Sequence, residues 1–399
     1  MNLLSDSHLI TYNPMPQNWK TYKLGELAKL RKSNIKPSEF NGEKYIGLEH
    51  IGQSDFLLNG IGEAGDAKSN KSKFESGDIL YGKIRPYFKK VYRPNFSGIC
   101  STDILVINSK NEKLISQNFL HQIIKTQEFT DKATETSSGT KMPRADWKSL
   151  QKVEYSIPPL PEQTAIASVL STIDAKIENN LAINKTLEEM AMALYKEWFV
   201  DFGPFQDGKF VESELGMIPE GWEVRTLAEL GNMYYGKMPK KDKIQDFGYQ
   251  LYSGYRIVGY YPEYNCKKGK VIVIARGVGG TGDIKLLKED LFLTNISICI
   301  ENELDIIADL LLFYTLKSSG LHYLRTGSAQ PQITINDLNR VEIVIPSKEV
   351  QIKFLNVFTK LIDQKNKNNN QNQSLTTLRD TLLPKLISGE VRLNEFANR

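Results

Sequence analysis

Two blocks of this chain occur twice, in the same order, and a duplicated chain is constrained first of all to fold as two related halves. Pro16, Trp19, Leu24, Glu26 and Leu27 return 203 positions later as Pro219, Trp222, Leu227, Glu229 and Leu230. Gly139, Pro143, Leu150, Val153, Glu154, Pro158 and Gln163 return 188 positions later as Gly327, Pro331, Leu338, Val341, Glu342, Pro346 and Gln351. The second copy is therefore 15 residues shorter between its blocks. Elsewhere the copies share only a coarse pattern of strands and turns. A length of 399 residues is ample for two hydrophobic cores.

Each copy ends in a long helical pattern. After Pro158-Pro159-Leu160-Pro161, a helix is expected from about Glu162 to Phe199, its start marked by the prolines. Its apolar stripe is Ile166, Val169/Leu170, Ile173, Ile177, Leu181, Leu187, Met190 and Leu194, the alternating threes and fours of a coiled-coil seam. The second helix follows Pro346, with Val350, Phe354, Val357/Phe358, Leu361/Ile362, Leu375, Leu378 and Leu382. Between these apolar runs lies the polar tract 365–374, rich in asparagine, which is either a solvated stretch of one helix or a local break; the continuous helix is the expectation carried forward. A helix of this kind would extend roughly 55 Å and cannot bury its stripe alone, so the two are expected to pair antiparallel with a domain near each end.

The remaining sequence alternates short strand candidates with turns: 44–48, 78–81, 104–107, 153–157, 270–274, 296–300 and 341–345, with short helices near 117–126 and 305–318. The expected fold class is α+β, two pseudo-symmetric domains separated by an antiparallel coiled coil of two long helices. The expected division is a first domain at 1–157, a helix at 158–203, a second domain at 204–345, a helix at 346–388 and a tail at 389–399.

Composition then narrows the function classes. Three cysteines (Cys100, Cys266 and Cys299) without CxxC spacing argue against a disulfide framework or a zinc site and fit a reducing cytoplasm. The first residues lack the basic and apolar regions of a secretory signal, and no apolar run is long enough to span a bilayer, so no membrane association is expected. A net charge of +4 is only mildly basic, so any nucleic-acid site has to lie in local clusters.

Catalytic motifs are missing. Gly277-Val278-Gly279-Gly280-Thr281-Gly282 matches GxGxxG, but a dinucleotide site needs a helix to open at the glycines, whereas the following residues read as another strand. The match is expected to be a tight turn, near the position of Gly82-Lys83-Ile84-Arg85-Pro86 in the other copy. There is no GxxxxGK[ST] loop, no amino-methyltransferase Asn/Asp-Pro-Pro-aromatic motif, no nuclease signature, and His8, His50, His121 and His322 have no ligand-like spacing. A non-catalytic chain is expected.

What remains is basic loops beside aromatic residues. Lys and Arg neutralise phosphates, while Arg, Lys, Asn, Gln, Ser and Thr read base edges. In the first half the candidate DNA contacts are Lys83, Arg85, Lys89 and Lys90 in one loop, and Thr140, Lys141 and Arg144 in another. In the second they are Lys237, Lys240, Lys241 and Arg276, with Arg325, Ser328, Gln330 and Gln332 just before the last strand.

The joint Leu194-Tyr195-Lys196-Glu197-Trp198-Phe199-Val200-Asp201-Phe202, the following segment 212–222, the Pro158–Gln163 joint and the C-terminal 382–392 together resemble the specificity subunits of type I restriction–modification systems across essentially the whole chain. The resemblance implies two target-recognition domains that bind double-stranded DNA, held apart by the helical pair. It implies two methyltransferase subunits docked on the helices, supplying the S-adenosylmethionine chemistry, with no cofactor on this chain and with motor-nuclease subunits able to join. Tyr195, Trp198, Phe199, Phe202, Leu382, Leu383 and Ile387, at the helix ends, are the candidate partner-binding residues. The alternative is a duplicated protein-interaction scaffold that binds no DNA.

Overall fold

The computed structural model describes residues 10–12, 18–39, 42–66, 68–139, 141–254, 256–277, 280–302, 306–327 and 330–393. The chain forms two compact units, residues 1–182 with 368–399 and residues 183–367. The first long helix, Leu160–Phe199, leaves the first unit after Ala182; the second, Lys348–Ser388, re-enters it at Asn368.

In the first unit a four-stranded sheet runs in the order Ala28–Leu30, Ile104–Ser109, Ile79–Gly82, Val91–Tyr92. The strands are short and rich in Ile, Leu and Val, and Ile79, Leu80 and Tyr81 are fully buried. A five-stranded sheet covers one side, and the helices Gln117–Ile124 and Gln127–Glu135 follow the central strand. Ser116 and Thr126 cap these helices through their side-chain oxygens. The strand Lys20–Lys23 pairs antiparallel with Glu154–Ile157, directly before the long helix.

The second unit repeats this plan. Its four-stranded sheet is ordered Met233–Tyr235, Ser297–Ile300, Val271–Ile274, Ile284–Leu286, and Glu223–Thr226 pairs with Glu342–Ile345. The repeat reaches single residues: Glu154 pairs with Lys23, and Glu342 with Thr226. Leu24 donates its N–H to the Val153 carbonyl at 2.8 Å, and Leu227 does the same to Val341 at 2.9 Å. After the GxGxxG match the next element is the strand Ile284–Leu286, so no helix opens there.

One repeated residue explains the Pro…Gln block. Gln163 is fully buried; its amide NH₂ donates to the carbonyls of Leu114 and Pro158, both 2.9 Å away, and its oxygen accepts from the Ser116 N–H at 2.9 Å. Gln351 donates to Ile306 (2.8 Å) and Pro346 (2.9 Å) and accepts from Ala308 (3.1 Å). In each half the glutamine ties the first turn of a long helix to the loop that starts the domain's own helix, satisfying backbone groups that would otherwise be buried unpaired.

Within the first unit the long helices pair antiparallel: Glu162 meets Arg392, just past the second helix, Asp174 meets Arg379, and Asn180 meets Gln371 and Asn372, so rising numbers on one face falling numbers on the other. In the second unit Glu188 bonds Lys365 and Trp198 packs on Phe354, in the same sense. The asparagine-rich tract is helical throughout. It is also part of the seam: Asn180 is fully buried, Asn372 is 9% exposed, and the Asn180 amide donates to the Asn372 oxygen at 2.8 Å. Buried asparagines fix the register of paired helices at some cost in stability. The expected stripe is corrected accordingly, since Leu181, Met190 and Leu378 are exposed.

Candidate nucleic-acid interface

The two basic loops of the first half are one surface. The strand Ile79–Gly82 runs into Lys83–Arg85, and this segment pairs with the loop before the short helix Trp147–Leu150. The Arg85 N–H donates to the Pro143 carbonyl at 2.7 Å, the Ala145 N–H donates to the Lys83 carbonyl at 2.9 Å, and Ile84 bridges Arg144. Arg144 also exchanges both backbone hydrogen bonds with Ser138, closing the loop on itself. Asp103 lies between the side chains, 3.4 Å from Lys83 Nζ and 3.7 Å from Arg144 Nε. Lys141 and Arg144 are exposed.

Not every predicted cation is free to act. Lys90 Nζ donates to the carbonyls of Leu48 (2.5 Å) and Ile51 (2.7 Å), so it holds a neighbouring loop, and burial pushes its ammonium below the ordinary lysine value. Lys83 donates to the Thr102 carbonyl at 2.8 Å. Lys89 is half-buried over the Phe56 ring, and its pKa is lowered by the same desolvation. Thr140 lies outside the described residues, as does Ser328 in the second half.

The second half builds the same junction with different side chains. Arg276 bridges Gln332, Gln332 exchanges backbone hydrogen bonds with Thr326, and the Ile333 N–H donates to the Ala275 carbonyl at 2.9 Å. Arg276, Gln330 and Gln332 are exposed and line, with Gly277, Ile296 and Pro331, a cleft of about 350 Å³. The Arg276 guanidinium lies 5.9 Å from the centre of the Tyr235 ring. Lys237 joins this edge through its N–H, which donates to the Leu293 carbonyl, and Lys240 and Lys241 are exposed on the loop beyond. Arg325 is pinned, donating to the Thr281 carbonyl at 2.6 Å and to His322. Thr281, which sequence reasoning passed over, is buried and its hydroxyl donates to the carbonyls of Gly277 and Pro331, both at 3.0 Å, tying the glycine turn to the glutamine loop.

The candidate partner-binding residues lie against the cores of the two units. Tyr195 and Phe199 are buried in the core of the second unit, where Phe199 lies edge-on to Phe354 at 4.7 Å and Trp198 and Phe202 pack against the same core. Leu383 and Ile387 are buried in the core of the first unit, with Leu382 packed against it. Trp198, Phe202 and Leu382 keep part of their surface exposed. Among the described residues no group of three or more His, Cys, Asp or Glu is placed to hold a metal ion, and no helix is long and apolar enough to cross a membrane.

Residues 16–189 and 219–377 match the family described as type I restriction modification DNA specificity domain. The HindI specificity subunit of Haemophilus influenzae is 26% identical over 94% of this chain and 100% of its own length. The MjaVIII specificity subunit of Methanocaldococcus jannaschii is 26% identical over 96% of this chain and 95% of its own. A crystal structure of the S subunit of a type I restriction–modification system from M. genitalium shares the fold, with a TM-score of 0.62 at 18% identity over 93% of this chain and 96% of that one. With two copies of the domain match placed on the two halves that the repeat defines, the chain belongs to the type I restriction–modification specificity family and is the DNA sequence-specificity subunit of such a system.

Proposed function

We propose that each half reads one part of a bipartite double-stranded target through the loop junction at the end of its central strand. The observation that carries this reading is that one hydrogen-bonded frame recurs in both halves and presents different side chains: Ile84, Asp103 and Arg144 in the first, Arg276, Ile296 and Gln332 in the second. A rigid backbone with interchangeable base-reading side chains is what two different half-sites require. The cations around each junction, Lys141 in the first half and Lys237, Lys240 and Lys241 in the second, supply phosphate contacts that orient the domain.

The chain itself performs no chemistry in this reading. Methyltransferase subunits, two per chain to match the duplication, bring S-adenosylmethionine and flip the target adenine out of the duplex, and motor-nuclease subunits add restriction in the cytoplasm. The docking surface is the outer face of the long helices, where Val169 and Leu378 are exposed in the first unit and Met190, Ile352 and Val357 in the second. Methylation mapping in cells expressing this chain with its methyltransferase partner, against the partner alone, tests the reading. A new two-part motif with modified adenine on both strands supports it. A stable complex that retains DNA without any preferred sequence would refute it.

A further inference from the structure

The turn that carries Arg85 is strained, and its counterpart in the second half is built from a different residue. Arg85 has φ 49° and ψ 63°, in the left-handed region, and Lys89 at the far end of the turn Pro86–Phe88 has φ 50°. A residue with a Cβ is disfavoured there, and glycine is the ordinary solution. The matched hydrogen bonds of Ala145 to Lys83 and Ile333 to Ala275, and the matched bridges of Ile84 to Arg144 and Arg276 to Gln332, place Arg85 opposite Gly277 in the repeat. Gly277 has φ 137°, so the second half meets the same junction with the residue that backbone geometry favours.

Inside the chain the guanidinium has one weak contact, over the Phe88 ring. The Arg85 backbone is used, donating to Pro143 at 2.7 Å and accepting from Phe88 at 2.9 Å, but any residue supplies those groups. Its Nε is shut from water with no hydrogen-bond partner, no ion pair reaches the guanidinium among the described residues, and the Phe88 ring centre lies 5.9 Å away. Strain that the surrounding fold holds but does not use belongs to a ligand. A phosphate is met as well by the exposed Lys141 nearby; a half-buried guanidinium with its planar fork of donors suits the paired O6 and N7 acceptors of guanine.

We propose that Arg85 is a specificity-determining residue of the first domain, its guanidinium reading a guanine edge in the half-site that domain addresses. The assignment rests on the two-half-site reading above. The experiment uses the complex with the methyltransferase partner, the motif mapped for the unaltered protein, and a panel of duplexes in which each base pair of the first half-site is replaced in turn. Arg85→Gly is expected to melt at the same temperature or higher, to bind the cognate duplex roughly tenfold to hundredfold more weakly, and to lose discrimination at one G·C pair while the second half-site is read as before. Arg85→Lys keeps the charge and is expected to lose the same discrimination. Arg85→Gly with full discrimination, or with a melting temperature lowered by several degrees, overturns the proposal. So does an equal weakening on every duplex, which marks a phosphate contact. An unaltered complex with no two-part motif overturns the underlying reading and this assignment with it.

Discussion

Arg392 and Glu162 form a two-pronged ion pair, both hydrogen bonds 2.8 Å long, with side chains 3% and 2% exposed. It joins the strand Val391–Leu393 to the first turn of the first long helix, from positions 230 residues apart. Taking one partner away leaves the other charged and buried, whereas removing both leaves neither. Arg392→Met or Glu162→Met alone should cost about 3–5 kcal/mol of unfolding free energy, and the double replacement much less than either. A denaturant-unfolding cycle over the four proteins measures this. Additive costs would mean the pair is not the source.

Gln163 and Gln351 make matching hydrogen bonds, so their loss should look alike. Each Gln→Ala replacement strands one buried N–H and two carbonyls, and about 1–3 kcal/mol is expected at each site. Because each glutamine ties its helix to its own domain, Gln163→Ala should weaken reading of the first half-site alone and Gln351→Ala the second alone. Methylation levels on duplexes altered in one half-site or the other report the difference, and a common loss at both would contradict it.

His121 gives the first unit a pH dependence. It is half-buried, its Nε2 is shut from water without a partner, and desolvation, with Lys125 and Arg93 adding to it, holds its pKa well below the ordinary histidine value. The folded protein therefore keeps the imidazole neutral, while the unfolded chain takes up a proton near pH 6.5. The contribution is complete above pH 6.5 and is lost as pH falls from there towards the folded value, by up to about 1.4 kcal/mol per pH unit. Unfolding measured at pH 7.5 and 5.5 should show this fall in the natural protein and a shallower one in His121→Leu. Equal slopes would remove His121 from the account.

Much of this was legible in the residues. The offsets of 203 and 188 anticipated two related halves, and the pairs Lys23 with Glu154 and Thr226 with Glu342 fall on repeat-equivalent positions. The turn at Gly277 could be told from a nucleotide site because no helical pattern follows it. The tethering of the basic loops was hidden for a physical reason: Lys90 and Arg325 donate to the carbonyls of Leu48, Ile51 and Thr281, which come from distant segments that no local pattern reveals. The helix seam was under-read for another. A buried asparagine pair such as Asn180 and Asn372 has the same sequence signature as a solvated polar tract. The aromatic joint at Tyr195–Phe202 carried the family resemblance, yet its side chains fill the chain's own core, since a repeated motif records packing as readily as contact.

The central claim is that the two halves read DNA independently. The most direct test is methylation mapping of a hybrid in which residues 204–345 are replaced by the corresponding segment of a relative with a different target, expressed with the same methyltransferase partner. The account predicts a motif in which one half-site is replaced and the other is retained base for base. A motif changed in both halves, or left unchanged in both, would contradict it.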